Sequence, residues 1–135
     1  MKKILITLGD PAGIGPDLGV MLAEKNLDKT TIIVADPDLL INSSKVLKKR
    51  IKINILDNIL SKTKSGQGMI NILPVKLNVK NKPGVYNSKN AEYVIKTIKL
   101  AAELCKDKHA NAMVTGPISK SILCKGGFKI SGHTE

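Results

Sequence analysis

Short apolar runs alternate along this chain with amphipathic stretches, and the alternation predicts strands that feed helices. Ile4 to Leu8 reads as a buried strand, followed by a helix from about Pro16 to Lys25 with Leu18, Met21 and Leu22 on one face. Thr31 to Ala35 is continuous and β-branched, a second buried strand. Asp36-Pro37 then supplies an N-cap and a first-turn proline that open a helix through about Leu47. Ile51 to Leu56 alternates and predicts a third strand. Ile70 to Val75 predicts a fourth, which Pro74 places at a sheet edge or a strand end. Residues 57–69 and the stretch NVKNKPGVYN carry loop and turn composition. A long helix is expected from Ser88, as N-cap, to Lys106. Its apolar set Ala91, Val94, Ile95, Ile98, Ala102 and Cys105 follows the 3.6-residue period, which leaves Tyr93 on another face as a surface or interface residue. Ala110 to Val114 predicts a further strand, handed by Thr115-Gly116-Pro117 to a helix through about Cys124.

Strands alternating with helices, without repeats or low-complexity segments, predict an α/β fold: an open, mostly parallel sheet with helices on both faces. The 135 residues suffice for one domain with a real core. That core has to be aliphatic, because Phe128, Tyr86 and Tyr93 are the only aromatic residues.

A net charge of +11 raises a nucleic-acid reading. Arg50 is the sole arginine, however, and the lysines are dispersed apart from Lys48-Lys49-Arg50. Base readout favours arginine forks, and single-strand binding needs aromatic platforms, so no nucleic-acid partner is expected. Cys105 and Cys124 match no metal spacing and read as two buried thiols in a reducing compartment. The apolar stretch of MKKILITLGD ends too soon for a signal peptide, and no uncharged run is long enough to span a bilayer. The expectation is a cytoplasmic protein with no membrane partner.

In an open parallel sheet, ligands collect beyond the carboxyl ends of the strands, and two strand-to-helix junctions here have unusual composition. LGDPAGIGPD, Leu8 to Asp17, holds three glycines and two prolines. Gly13-Ile14-Gly15 permits a tight bend and close backbone approach, and Pro16 opens a helix whose N–H groups favour an anion. The spacing does not meet the dinucleotide fingerprint G-x-G-x-x-G, so a tight turn and a ligand-touching turn both remain open. In VTGPISK, Val114 to Lys120, Thr115 offers a hydroxyl, and Lys120 sits in a first helical turn, where the dipole disfavours a cation. That lysine is either solvated or meets a phosphate or carboxylate. A third candidate is the terminal SGHTE, where His133 alone makes no metal site. His109 reads as an exposed residue after a helix end.

ITLGDPAGIGPDL, TGPISK and GHTE, in this order, resemble the 4-hydroxythreonine-4-phosphate dehydrogenases of pyridoxal phosphate biosynthesis, as do LPV at Leu73 to Val75, PGVYNSKNAEYVIKTI and the Gly126-Gly127 turn. The resemblance runs over essentially the whole chain. It implies an isopropylmalate-dehydrogenase-like α/β fold, a homodimer, and NAD- or NADP-dependent oxidation of 4-phosphooxy-L-threonine, a small phosphorylated substrate. The resulting 2-amino-3-oxo acid would lose carbon dioxide to give 3-amino-2-oxopropyl phosphate. A divalent metal (Zn, Mg or Co) would acidify the substrate hydroxyl and stabilise the enolate.

Carried over by motif, the resemblance makes His133 and Thr134 substrate contacts, with Thr115, Gly116 and Lys120 lining the same cleft. It places Asp10, Gly13 and Gly15 near cofactor or substrate. The family's three metal-binding histidines, and its later Lys, Asn and Arg, lie beyond GHTE. Residues 1–135 are therefore expected to be the N-terminal α/β portion of such an enzyme, inactive alone, with an unpaired sheet edge, and completed by a C-terminal chain if the enzyme is split. The alternative is a non-catalytic remnant or anion-binding module.

Overall fold

A computed structural model describes residues 2–25 and 30–129. Five strands form one all-parallel sheet in the order β3-β4-β2-β1-β5: β1 (Ile4–Thr7), β2 (Thr31–Ala35), β3 (Lys52–Ile55), β4 (Met69–Pro74) and β5 (Ala112–Thr115). One register row crosses all five, Ile55-Ile72-Ile33-Ile6-Val114. It is buried at the centre, half-buried at Ile6 and exposed at both edge residues. Parallel pairing requires crossover connections; β3 passes to β4 through residues 56–68 without a helix, and the helical crossovers fix the layers. Helices α1 (Gly15–Ala23) and α2 (Pro37–Leu47) pack on each other and, through Val20, Ala23 and Leu40, on the Ile33–Ile72 face. Helix α3 (Ala91–Lys106) sets Ala101 against Leu5, Ile32 and Val34 on the opposite face. The short α4 (Lys120–Lys125) closes the start of α3 with Leu123.

The expected α/β fold is the observed one, and β2 has the expected bounds. Asp36 caps α2: its carboxylate accepts from Asp38 N–H at 3.0 Å. Pro74 ends β4, which is an interior strand, so its missing donor costs nothing in mid-ladder. The ladder resumes with Val75 N–H donating to Ala35 O at 3.1 Å. Asn87, rather than Ser88, caps the 3-10 turn at Ser88–Asn90 that leads into α3.

Tyr93 corrects the sequence reading. It is 1% exposed, and its hydroxyl accepts from Asp36 N–H at 3.1 Å. The buried stripe of α3 is also rotated: Thr97 and Ala101 are buried and Ala102 is exposed. The physical reason is a second contact surface. The first turns of α3 meet Leu39, Leu77 and Leu123 as well as the sheet, so the buried arc is wider than one apolar stripe. The thiols differ from expectation too: Cys105, in the last turn of α3, packs only at the margin of the Leu5 cluster, and Cys124 is exposed on a side of α4 that faces away from Leu123 and α3 among the described residues.

Candidate functional site

At the carboxyl ends of the adjacent strands β1 and β5, two loops are joined backbone to backbone. Gly116 N–H donates to Thr7 O at 2.7 Å, and Asp10 N–H donates to Pro117 O at 3.0 Å. A Cβ on Gly9, whose φ is +75°, would stand 2.0 Å from Pro117 O, and one on Gly116 would stand 2.4 Å from Leu8 O. No side chain fits there, so these glycines exist for the close approach of the loops. Gly15 is blocked in the same way by Leu8 O at 1.7 Å. Gly13 differs: its nearest neighbours would be Asp10 O and the Tyr86 hydroxyl, each at 3.4 Å. Of the three glycines in the first loop, Gly13 alone keeps an unobstructed side.

Asp10 organises the turn. Its carboxylate accepts from Ala12 N–H at 2.9 Å, and its carbonyl accepts from Gly13 N–H at 3.1 Å. The residue is 5% exposed. Burial pushes its carboxyl pKa up, and the Ala12 hydrogen bond opposes the shift.

The expected turn in NVKNKPGVYN forms a strap over this loop. Lys82 to Val85 bend back through Pro83-Gly84, with Val85 N–H donating to Lys82 O at 3.0 Å. Asn81 Nδ2 donates to Pro11 O at 2.9 Å, and Gly84 N–H to Ala12 O at 2.8 Å. The Pro-Gly pair signals the bend, but nothing in the sequence signals its landing place. Hollows border the region. One of about 110 Å³ lies between the turn, the strap and α2, lined among others by Pro11, Gly13, Asp17, Asn42, Asn81 and Pro83. A second, of about 440 Å³, lies beyond β2 and β4, lined by Asp36, Asp38, Asn42, Lys76, Asn78 and Lys80. A third, about 190 Å³ and apolar, lies between α1 and β5.

Thr115 and Gly116 are half-buried at the end of β5. Helix α4 starts later than expected: Ser119 is its N-cap, accepting weakly from Ile122 N–H at 3.4 Å, and the exposed Lys120 is its first residue. Residues 116–118 stay out of the helix because they are held against Gly9 and Asp10. His133 and Thr134 lie outside the described residues. Among the described residues, no three His, Cys, Asp or Glu side chains group as metal ligands, and no helix is long and apolar enough to cross a membrane.

Residues 27–135 match the family model described as pyridoxal phosphate biosynthetic protein PdxA. The 4-hydroxythreonine-4-phosphate dehydrogenase of Wigglesworthia glossinidia brevipalpis is 37% identical over 135 residues, all of this chain and 41% of the relative. That of Saccharophagus degradans is 39% identical over 132 residues, 98% of this chain and 39% of the relative. A crystal structure of a 4-hydroxythreonine-4-phosphate dehydrogenase from Burkholderia phymatum superposes with a TM-score of 0.86 at 26% identity, covering 100% of this chain and 42% of that one. The chain thus spans about two-fifths of the length of the relatives it matches. With its motifs, its parallel sheet and these matches in agreement, the chain belongs to the PdxA family of pyridoxal phosphate biosynthesis.

Proposed function

We propose that residues 1–135 are the N-terminal α/β portion of a 4-hydroxythreonine-4-phosphate dehydrogenase and form one wall of its reaction cleft. The reaction is NAD- or NADP-dependent oxidation of 4-phosphooxy-L-threonine, followed by decarboxylation to 3-amino-2-oxopropyl phosphate, in a cytoplasmic homodimer. The observation that carries this reading is the joining of the Asp10–Gly15 turn to the Gly116–Pro117 segment at the same end of β1 and β5. It supports one site built from both motifs.

In this reading the substrate contacts are Thr115, Gly116, Lys120, His133 and Thr134. The Lys120 ammonium offsets substrate negative charge where a helix start already favours an anion. Asp10, Gly13 and Gly15 border the cofactor. Gly13 permits the approach, and Gly15 shapes the turn by packing on Leu8. The nicotinamide supplies the hydride acceptor, and the chain supplies position and exclusion of water. The divalent metal of the full-length family would acidify the substrate hydroxyl and stabilise the enolate; no group of three metal ligands occurs among the described residues, so its ligands would come from outside them.

A chimera tests the reading: this chain in place of the matched stretch of the Wigglesworthia enzyme. NADH formation from 4-phosphooxy-L-threonine, lost in Lys120→Ala, is expected, whereas the 135-residue chain alone forms none. A folded chimera without turnover, beside an active parent, overturns it.

A further inference from the structure

Building on that reading, we propose that Thr7 is a positioning residue of the substrate site. In the occupied site its hydroxyl donates to Thr115 Oγ1 and turns the Thr115 proton toward an anionic oxygen of the substrate.

Thr7 is fully buried, and among the described residues its hydroxyl is the one buried side-chain polar group without a hydrogen-bond partner. Such groups are rare, because burial takes the hydroxyl out of water without a replacement. Other buried polar side chains show how this chain normally satisfies them. Thr97 donates back to Val94 O at 2.7 Å, Asn71 is bonded to Asn54 and Lys64, and Asn90 accepts from Asn78 and Val79 N–H. Thr7 has no such recourse. It ends a strand paired on both sides, and its own carbonyl is taken by Gly116 N–H. Valine has nearly the same shape without the unmet hydrogen bond, so stability alone does not account for a hydroxyl here.

Its place in the sheet supplies the acceptor. Thr7 stands in register with Val34 on one side and Thr115 on the other, and Val34 with Leu73. Val34 and Leu73 pack with Leu5 in the layer under α3, so Thr7 and Thr115 face that same layer at the carboxyl end of the sheet. Thr7 is sealed and Thr115 only half-buried, the inner and outer members of a pair. Neighbouring strands lie about 4.8 Å apart, a span that two threonine hydroxyls bridge by rotation about χ1. A hydroxyl carries a single proton. When Thr115 spends its proton on the substrate, its oxygen is left to accept, and Thr7 is the buried donor beside it. Each bond then strengthens the other.

Thr7→Val and Thr7→Ser, alone and combined with Thr115→Val, test this in the 135-residue chain and in the chimera described above. Thr7→Val should melt at or above the parent temperature in both. In the chimera it should raise KM for 4-phosphooxy-L-threonine about tenfold, with kcat and the cofactor KM near parental. Thr7→Ser keeps the hydroxyl and loses a methyl, so it should melt lower while holding KM within about twofold. The orders of stability and of KM therefore cross, which a merely structural role would not produce. On the Thr115→Val background, Thr7→Val should change KM no further, because it acts through Thr115. A parental KM in Thr7→Val overturns the proposal, as does a Thr7→Val melt below that of Thr7→Ser. An equal effect with and without Thr115 also overturns it. A folded chimera without turnover sinks the dehydrogenase reading by itself, and the rise in melting temperature on adding 4-phosphooxy-L-threonine then takes the place of KM. A rise lost in both Thr7→Val and Thr115→Val keeps the pair; a rise retained in Thr7→Val, or absent from the parent, removes it. Turnover with a parental KM in Thr7→Val removes the pair and keeps the reading.

Discussion

Replacing Gly9 with alanine tests whether the two loops depend on bare backbone contact. The new methyl would stand 2.0 Å from Pro117 O and 2.8 Å from Gly116 C, and both are main-chain atoms that no rotamer change can move. At φ +75° the alanine also pays about 1 kcal/mol for the left-handed region. Separating the loops breaks the Asp10 N–H to Pro117 O bond and strands a buried donor, worth about 1–3 kcal/mol. The total, roughly 2–4 kcal/mol, is a large fraction of the 5–15 kcal/mol typical of a domain. It should lower the melting temperature by roughly 6–16 °C. Gly13→Ala is the matched control: its Cβ would make only 3.4 Å contacts, and a change below about 1 kcal/mol is expected. Urea unfolding of both variants, followed by circular dichroism, gives the comparison. If Gly9→Ala unfolds within 1 kcal/mol of the parent, or no lower than Gly13→Ala, the packing argument is wrong.

Tyr93→Phe removes the acceptor of the buried Asp36 N–H and should cost about 1–3 kcal/mol in the same assay; a neutral result would mean that water replaces the hydroxyl. Asp10→Asn keeps an acceptor for Ala12 N–H but cannot ionise. Because burial raises the Asp10 pKa in the folded state, ionisation opposes folding. The Asp10 penalty is absent below the ordinary value of 3.8 and grows as pH rises through the raised folded value. The stability of Asp10→Asn relative to the parent should therefore increase with pH across that window and then level off. A flat difference between acid and neutral pH would refute the shift.

Residue pattern alone disclosed the sheet, because buried parallel strands such as Thr31–Ala35 must be continuous and apolar, and nothing polar could take their place. It also disclosed the two junctions, since glycine with proline after a strand has few other uses. It left open what the glycines do, because loop composition shows that the backbone must come close to something without telling a ligand from another loop; the contacts of Gly9 and Gly15 are with backbone. Tyr93 was misplaced for a related reason. Periodicity gives the direction of a helix's main contact, but not a second body resting on its first turns, here Leu39 and Leu123. The pattern disclosed the turn at NVKNKPGVYN but not where it lands, because Asn81 finds Pro11 across a separation of 70 residues.

Asp36 has a consequence for how substitution data on this molecule should be understood. One carboxylate oxygen accepts from Asp38 N–H and the other from Leu77 N–H at 2.9 Å, while the residue's own amide is held by Tyr93. Asparagine cannot imitate this, since its amide group would turn a donor toward one of two donors. Selection or a saturation screen would therefore find position 36 intolerant even of its nearest isostere. That intolerance would be the signature of a three-way knot in the main chain, easily mistaken for that of a chemical group.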